Sequence, residues 1–140
     1  MKNSVTERFE CLVFTPLHLD HPGLAIAAAQ AGAVPVLDFE YAAPEYGSQI
    51  QANFRRFLDA TGAGPTCYGI RSTPEQLARC LEWIGTEETP LCDRIILHGW
   101  MADTLAATLD ENEPTGCRQF LEVTSATEIE PIREYLPKND

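Results

Sequence analysis

Strand-like, largely apolar runs recur along this chain, Cys11-Leu12-Val13-Phe14, Val34-Pro35-Val36-Leu37, Thr66-Cys67-Tyr68-Gly69-Ile70, Arg94-Ile95-Ile96-Leu97 and Gln119-Phe120-Leu121-Glu122-Val123. Each is followed by a helical pattern, and runs of this kind alternating with helices predict parallel strands joined by crossover helices. The first helix is expected over His21–Ala31, capped by Asp20, closed by Gly32, and turning Leu24, Ala27, Ala28 and Ala31 to the sheet. The second carries Ile50, Phe54, Phe57 and Leu58 and stops at Gly62.

Thr73-Pro74-Glu75-Gln76 predicts the start of a third helix, with a cap, a first-turn proline and a reciprocal Gln, followed by a stripe of Leu77, Cys80, Leu81 and Ile84. A fourth is expected from about Asp103 through Leu109, and a fifth from Thr127, with Glu130 closing a capping box. Strand plus helix repeats at roughly 25 to 30 residues, one unit of a parallel crossover fold. The predicted class is α/β, with repeated strand-helix units forming a partial TIM barrel of about five of eight units; an open flavodoxin-like doubly wound sheet is the alternative. In either case the site is expected at the carboxyl ends of the strands.

Composition narrows the partners. The chain of 140 residues suits a single domain, and 44% hydrophobic content is ordinary for a globular protein. No stretch approaches the roughly 18 apolar residues of a membrane span, and the polar start, Met1 to Arg8, lacks a signal-peptide pattern, so a cytoplasmic protein is expected. A net charge of −11, from 10 Lys+Arg against 21 Asp+Glu, opposes nucleic acid and anionic membrane, which need clustered cations. The five cysteines show no CxxC spacing; three lie inside apolar patterns and read as small core residues. His18, Asp20 and His21 have no fourth ligand nearby, so no metal site is predicted.

Two stretches carry a family resemblance. Phe14-Thr15-Pro16-Leu17 followed by Pro22-Gly23-Leu24-Ala25-Ile26-Ala27-Ala28-Ala29-Gln30-Ala31-Gly32-Ala33-Val34-Pro35-Val36-Leu37-Asp38 resembles the opening of the nitronate monooxygenase-like FMN barrels. These include the barrel domains at the start of some bacterial polyketide and polyunsaturated-fatty-acid synthases. Glu122-Val123-Thr124-Ser125-Ala126-Thr127-Glu128 is similar to that family's fifth strand and the helix start after it.

The resemblance implies a flavin ring against Thr15, Pro16 and Leu17, His98 as the base acting on the substrate carbon, and Trp100 at the pocket wall. It departs from the family at His98-Gly99, where the usual spacing has one more residue between His and Gly. It also implies that the glycine-rich segment holding the FMN phosphate follows Asp140, so that this chain alone binds FMN weakly or not at all. The expected partners are a remaining barrel segment, synthase domains or a second copy. The alternative function is a non-catalytic structural or docking module derived from such a barrel.

Read without the family, Asp38, Glu40 and Arg71 at neighbouring strand ends predict an ion pair, and Trp83 on the third helix predicts a core residue. The turn after the first run lacks the hydroxyl- and glycine-rich sequence of a flavodoxin phosphate loop. The acidic pair, Asp and Lys of a response-regulator receiver are missing as well.

Overall fold

The computed structural model describes residues 9–40, 43–61, 68–85, 92–104 and 118–135. Five strands, β1 (Leu12–Pro16), β2 (Val34–Asp38), β3 (Tyr68–Ser72), β4 (Cys92–Leu97) and β5 (Arg118–Leu121), form one sheet. Every pairing is parallel, and the spatial order is β1-β2-β3-β4-β5. This is the α/β architecture that the alternating pattern predicts. An order without reversal is that of consecutive barrel units, whereas a doubly wound sheet reverses at a switch point.

The helices α1 (Gly23–Gln30), α2 (Gly47–Thr61) and α3 (Pro74–Gly85) pack on one side of the sheet. Leu37, Ile70 and Ile95 stand in register on that side. There Ala25 of α1, Ile50, Phe54 and Phe57 of α2, and Leu77 and Cys80 of α3 cover them. Tyr68 packs edge-on against both Phe54 and Phe57. Trp83 stacks on Phe39 at the margin of this core, as its position on the stripe predicts.

Side chains alternate across strands, so the other side carries the rows Phe14, Val36, Gly69, Arg94, Arg118 and Pro16, Asp38, Arg71, Ile96, Phe120. No described helix covers these rows. Leu12, Phe14 and Phe120 are exposed there, while Val36 is buried. No described helix is long and apolar enough to cross a membrane.

Three local expectations are corrected. Asp20 does not cap α1: the helix starts at Gly23, with Pro22 at the cap position and no side-chain cap. Its buried positions are Ala25 and Ala28, while Leu24 is exposed. Gly23 to Ala29 is wholly apolar, so periodicity holds no information about which way that helix is turned. At α3 the Thr73 hydroxyl accepts the Gln76 N–H at 3.3 Å, but Gln76 Oε1 is buried without a partner among the described residues, so only half of the predicted box forms.

At the last helical segment the cap position is Ser125 and not Thr127, and the α-helix proper begins only at Ile129. Ser125 leads into a 3-10 turn, Ala126–Glu128, and α4 (Ile129–Ile132), with Glu128 in place of Glu130 accepting the Thr124 N–H at 2.7 Å and the Ser125 N–H at 3.3 Å. Residues 102–104 are helical, and the rest of the predicted fourth helix lies outside the described residues, as do Gly62, Thr66, Cys67 and Cys117. Cys80 is buried, Cys92 is half-buried against the core, and Cys11 is exposed just before β1 rather than packed.

Candidate functional site

Backbone bonds continue the sheet past the strand ends: Phe39 N–H donates to Arg71 O at 2.8 Å, His98 N–H to Ser72 O at 3.1 Å, and Glu122 N–H to Leu97 O at 2.8 Å. Residues just beyond β2, β4 and β5 are thereby held as firmly as the strands. Asp38, Glu40, Arg71, His98 and Glu122 therefore converge at the carboxyl edge of the side that no described helix covers.

Arg71 is the centre of this group. Its Nε and Nη2 donate to the two Glu122 oxygens at 2.8 and 2.9 Å, and its Nη1 donates to Asp38 Oδ2 at 3.2 Å and Glu40 Oε2 at 2.8 Å. The guanidinium thus ties the ends of β2, β3 and β5 through all three nitrogens. Hydrogen bonds with Glu122 foremost, then with Glu40, together with the nearby Asp38 charge, hold Arg71 far above its ordinary pKa against the opposing effect of burial. In turn, the Arg71 hydrogen bonds hold the Glu122 carboxyl below the usual carboxylate value. The predicted pairing of Arg71 with Asp38 and Glu40 is present, and Glu122 joins it as a third carboxylate.

After His98 the chain turns at Gly99, whose φ of 62° is strained for any residue with a Cβ. The turn brings Trp100 back over the edge, where its indole N–H donates to Glu122 O at 2.9 Å. A cavity of about 320 Å³ results, lined by Glu40, Arg71, His98, Gly99, Trp100, Glu122, Thr124 and Glu128. His98 is half-buried on this wall, and its Nε2 is buried without a hydrogen-bond partner among the described residues. Next to it, across Glu40, lies a more open hollow of about 500 Å³ lined by His18, Ala43, Tyr46 and Gln76.

The structure brings His98 and Trp100 together in one cavity, but Thr15, Pro16 and Leu17 do not line it. The Thr15 side chain is buried and its Oγ1 has no partner among the described residues. Pro16 stands on the side that no described helix covers, in register with Asp38. Leu17 is in the core, with its N–H donated to Asp38 O at 3.2 Å and its carbonyl accepting Asn53 Nδ2 at 3.0 Å. Of the three residues expected against a flavin, Pro16 is the one whose side chain is on the open side.

Asn53 is a residue that the sequence reading passes over. It is buried in α2 and holds the carbonyls of both Leu17 and Leu19, while Gln49 donates to Leu19 O at 2.8 Å. The loop leaving β1 is thus shaped by two amide side chains of α2, one of them on its buried stripe. Glu122 and Glu128 are also new to the site, and strict alternation from Phe120 was the available signal for Glu122.

Among the described residues no group of three or more His, Cys, Asp or Glu is arranged to hold a metal ion. His18 instead lies beside the Tyr46 ring, with centroids 6.0 Å apart. The FMN implied by the resemblance fits in part. Trp100 offers flat apolar surface on the cavity wall while Pro16 lies outside the cavity, and the arginines on this side do not suit a phosphate. Arg71 is spent on carboxylates, and Arg94 and Arg118 stand towards the amino ends of the strands, bonded to Asp93. No protein family, curated protein or solved structure matches this chain.

Proposed function

We propose that this chain is the flavin-facing part of an FMN-dependent oxidoreductase barrel of the nitronate monooxygenase or enoyl reductase kind, associated with a polyketide or fatty-acid synthase. It would act in the cytoplasm together with a segment or partner that supplies the phosphate-holding groups. The observation that carries this reading is His98: an imidazole with a buried, unpartnered Nε2 on a cavity wall at the carboxyl end of a parallel strand. That is where barrels keep their chemistry, and a neutral imidazole is suited to take a proton from carbon near neutral pH. His98 is the proposed base, Trp100 the cavity wall, and Thr15, Pro16 and Leu17 the segment nearest the ring, with Pro16 presenting its side chain.

The test compares flavins by fluorescence titration against the 140-residue chain. With ring contacts present and phosphate donors missing, riboflavin and FMN should bind with similar, weaker than micromolar affinity, and Trp100→Ala should abolish both. Charge-assisted bonds to a phosphate contribute roughly 1.5 to 3 kcal/mol each, so FMN binding far tighter than riboflavin would sink this reading. No response to either flavin at millimolar concentration would sink it too.

A second reading, a non-catalytic docking module derived from such a barrel, is favoured by one observation. Leu12, Phe14 and Phe120 are exposed on the side of the sheet that no described helix covers. A remaining barrel segment, a synthase domain or a second copy would bury them.

A further inference from the structure

Apolar exposure on the side of the sheet that no described helix covers is confined to the outer strands. Leu12 and Phe14 of β1 and Phe120 of β5 are exposed, whereas Val36, Arg94 and Ile96 on the strands between them are buried. The middle of that side is filled, and its two margins lack cover. Among the described residues β1 and β5 also pair on one side only, which leaves each with a row of unpaired backbone groups. An occupant that suits the sheet must meet both margins at once. A body laid over the middle alone leaves both bare.

The margins are complementary to each other. Glu10, ahead of β1, bonds Arg94, and Arg94 is in register with Arg118 of β5, so the curl that brings Glu10 to Arg94 also brings it level with Arg118 at the opposite margin. Their side chains are 52% and 56% exposed. Two residues further along each strand, on the same side, stand Leu12 and Phe120. One margin thus reads acidic then aliphatic, and the other basic then aromatic, with the Arg118 guanidinium over the Phe120 ring. From this we infer that a second copy of this chain covers the margins, with a two-fold axis along the strands that sets β1 of each copy against β5 of the other. Glu10 then meets Arg118 of the second copy and Leu12 meets its Phe120, and the same contacts recur at the other margin. Because all the strands run one way, this axis keeps the carboxyl edges, with the two His98 cavities, at one end. An axis across the strands sets β1 against β1, and the acidic margin then misses the basic one. The inference goes beyond the flavin reading: a remaining barrel segment takes the same two margins, and the pair is the form of the chain without it. Two outer strands per copy make a small interface, in the class below about 1,200 Å², and a net charge of −11 on each copy opposes it, so the pair is reversible.

Sedimentation velocity of the 140-residue chain, from about 10 μM to about 1 mM, tests this. The unaltered chain should pass from monomer to dimer and no further, because the two-fold contact uses both margins. Leu12→Lys and Phe120→Glu, both at exposed positions, should each weaken pairing by about tenfold or more, since a charge is then set against an apolar side chain at both junctions. Mixed in equal amounts the two variants should pair again: one junction becomes Lys against Glu, and the other keeps the original Leu against Phe. A chain still monomeric at about 1 mM overturns the inference. So does association beyond the dimer, a dimer indifferent to both substitutions, or a mixture of folded variants that stays monomeric. If either variant fails to fold, Arg118→Glu takes its place: it should weaken pairing of the chain by a similar factor, and unchanged association overturns the inference. No flavin enters the experiment, so its failure leaves the riboflavin and FMN comparison untouched.

Discussion

Arg94 on β4 reaches Glu10, ahead of β1, with Nη1 and Oε2 2.8 Å apart. Three strand spacings separate β1 from β4, roughly 14 Å in a flat sheet. Arg94 bridges them by lying across the side without helices, over Gly69, where an added Cβ would stand 2.7 Å from Arg94 Cγ and 3.3 Å from Val36 Cγ2. Gly69 is needed here for space, since its φ is not in the left-handed region. The contact ties β4 to the start of β1 as a chord across a curled sheet.

Gly69→Ala should therefore push the Arg94 stem aside and uncouple it from Glu10. Overpacking of this kind costs roughly 1 to 3 kcal/mol. A double-mutant cycle in urea with Glu10→Gln is the check: the Glu10 substitution should cost less in the Gly69→Ala background than in the unaltered chain.

Removing Arg71 should be worse than removing any one of its partners, because Asp38, Glu40 and Glu122 would then face one another without a cation. Loss of one partner in a fully buried pair costs roughly 3 to 5 kcal/mol, and the partial exposure of Glu40 and Glu122 lowers the expectation here to about 2 kcal/mol. Arg71→Lys should recover little, since one ammonium does not reproduce a fork reaching three carboxylates. Denaturation midpoints of Arg71→Ala, Arg71→Lys and Glu40→Gln rank these effects.

Stability should fall in acid over a defined window. Hydrogen bonds from Arg71 lower the Glu122 pKa from its ordinary 4.5, and those from Arg94 lower Asp93 from 3.8. Groups with depressed folded values stabilise fully above their unfolded pKa, and that contribution is lost as pH falls through the folded value. The urea midpoint should thus hold between pH 7 and about 5 and decline below about 4.5. Glu122→Gln should make the decline shallower, and an equal slope in that variant would rule out this origin.

Asn53→Leu should release the loop after β1 while leaving the core filled. The Leu17 carbonyl would lose its side-chain donor while Leu19 O would keep the Gln49 amide, and a buried unsatisfied group costs about 1 to 3 kcal/mol. Limited proteolysis should then cut within residues 17–22 faster than in the unaltered chain. Cleavage appearing elsewhere first would show that Asn53 stabilises the fold generally instead of positioning that loop.

The sheet was largely legible in the sequence because buried parallel strands leave unbroken apolar runs, and the runs at Val34 and Arg94 match β2 and β4 to within two residues at either end. α1 was legible in existence but not in orientation, since an all-apolar segment has no preferred face. The site was half legible. Asp38, Glu40 and Arg71 could be paired from their places at strand ends, whereas Glu122 lay inside a run read as continuously apolar. Asn53 was hidden for a related reason: a polar residue on a buried helical stripe looks like noise until the carbonyls that it meets are known.

The strand order has a further consequence, for how the chain reaches this structure. Each strand pairs only with its neighbours in sequence, so the sheet grows by closing one short crossover at a time, and a strand leaving the ribosome finds its partner already made. Closure entropy rises slowly with loop length, and nearby pairings form before distant ones. The Arg94–Glu10 contact, 84 residues apart in the chain, belongs to the last stage, when four strands are in place and the growing sheet has curled far enough for its two ends to meet.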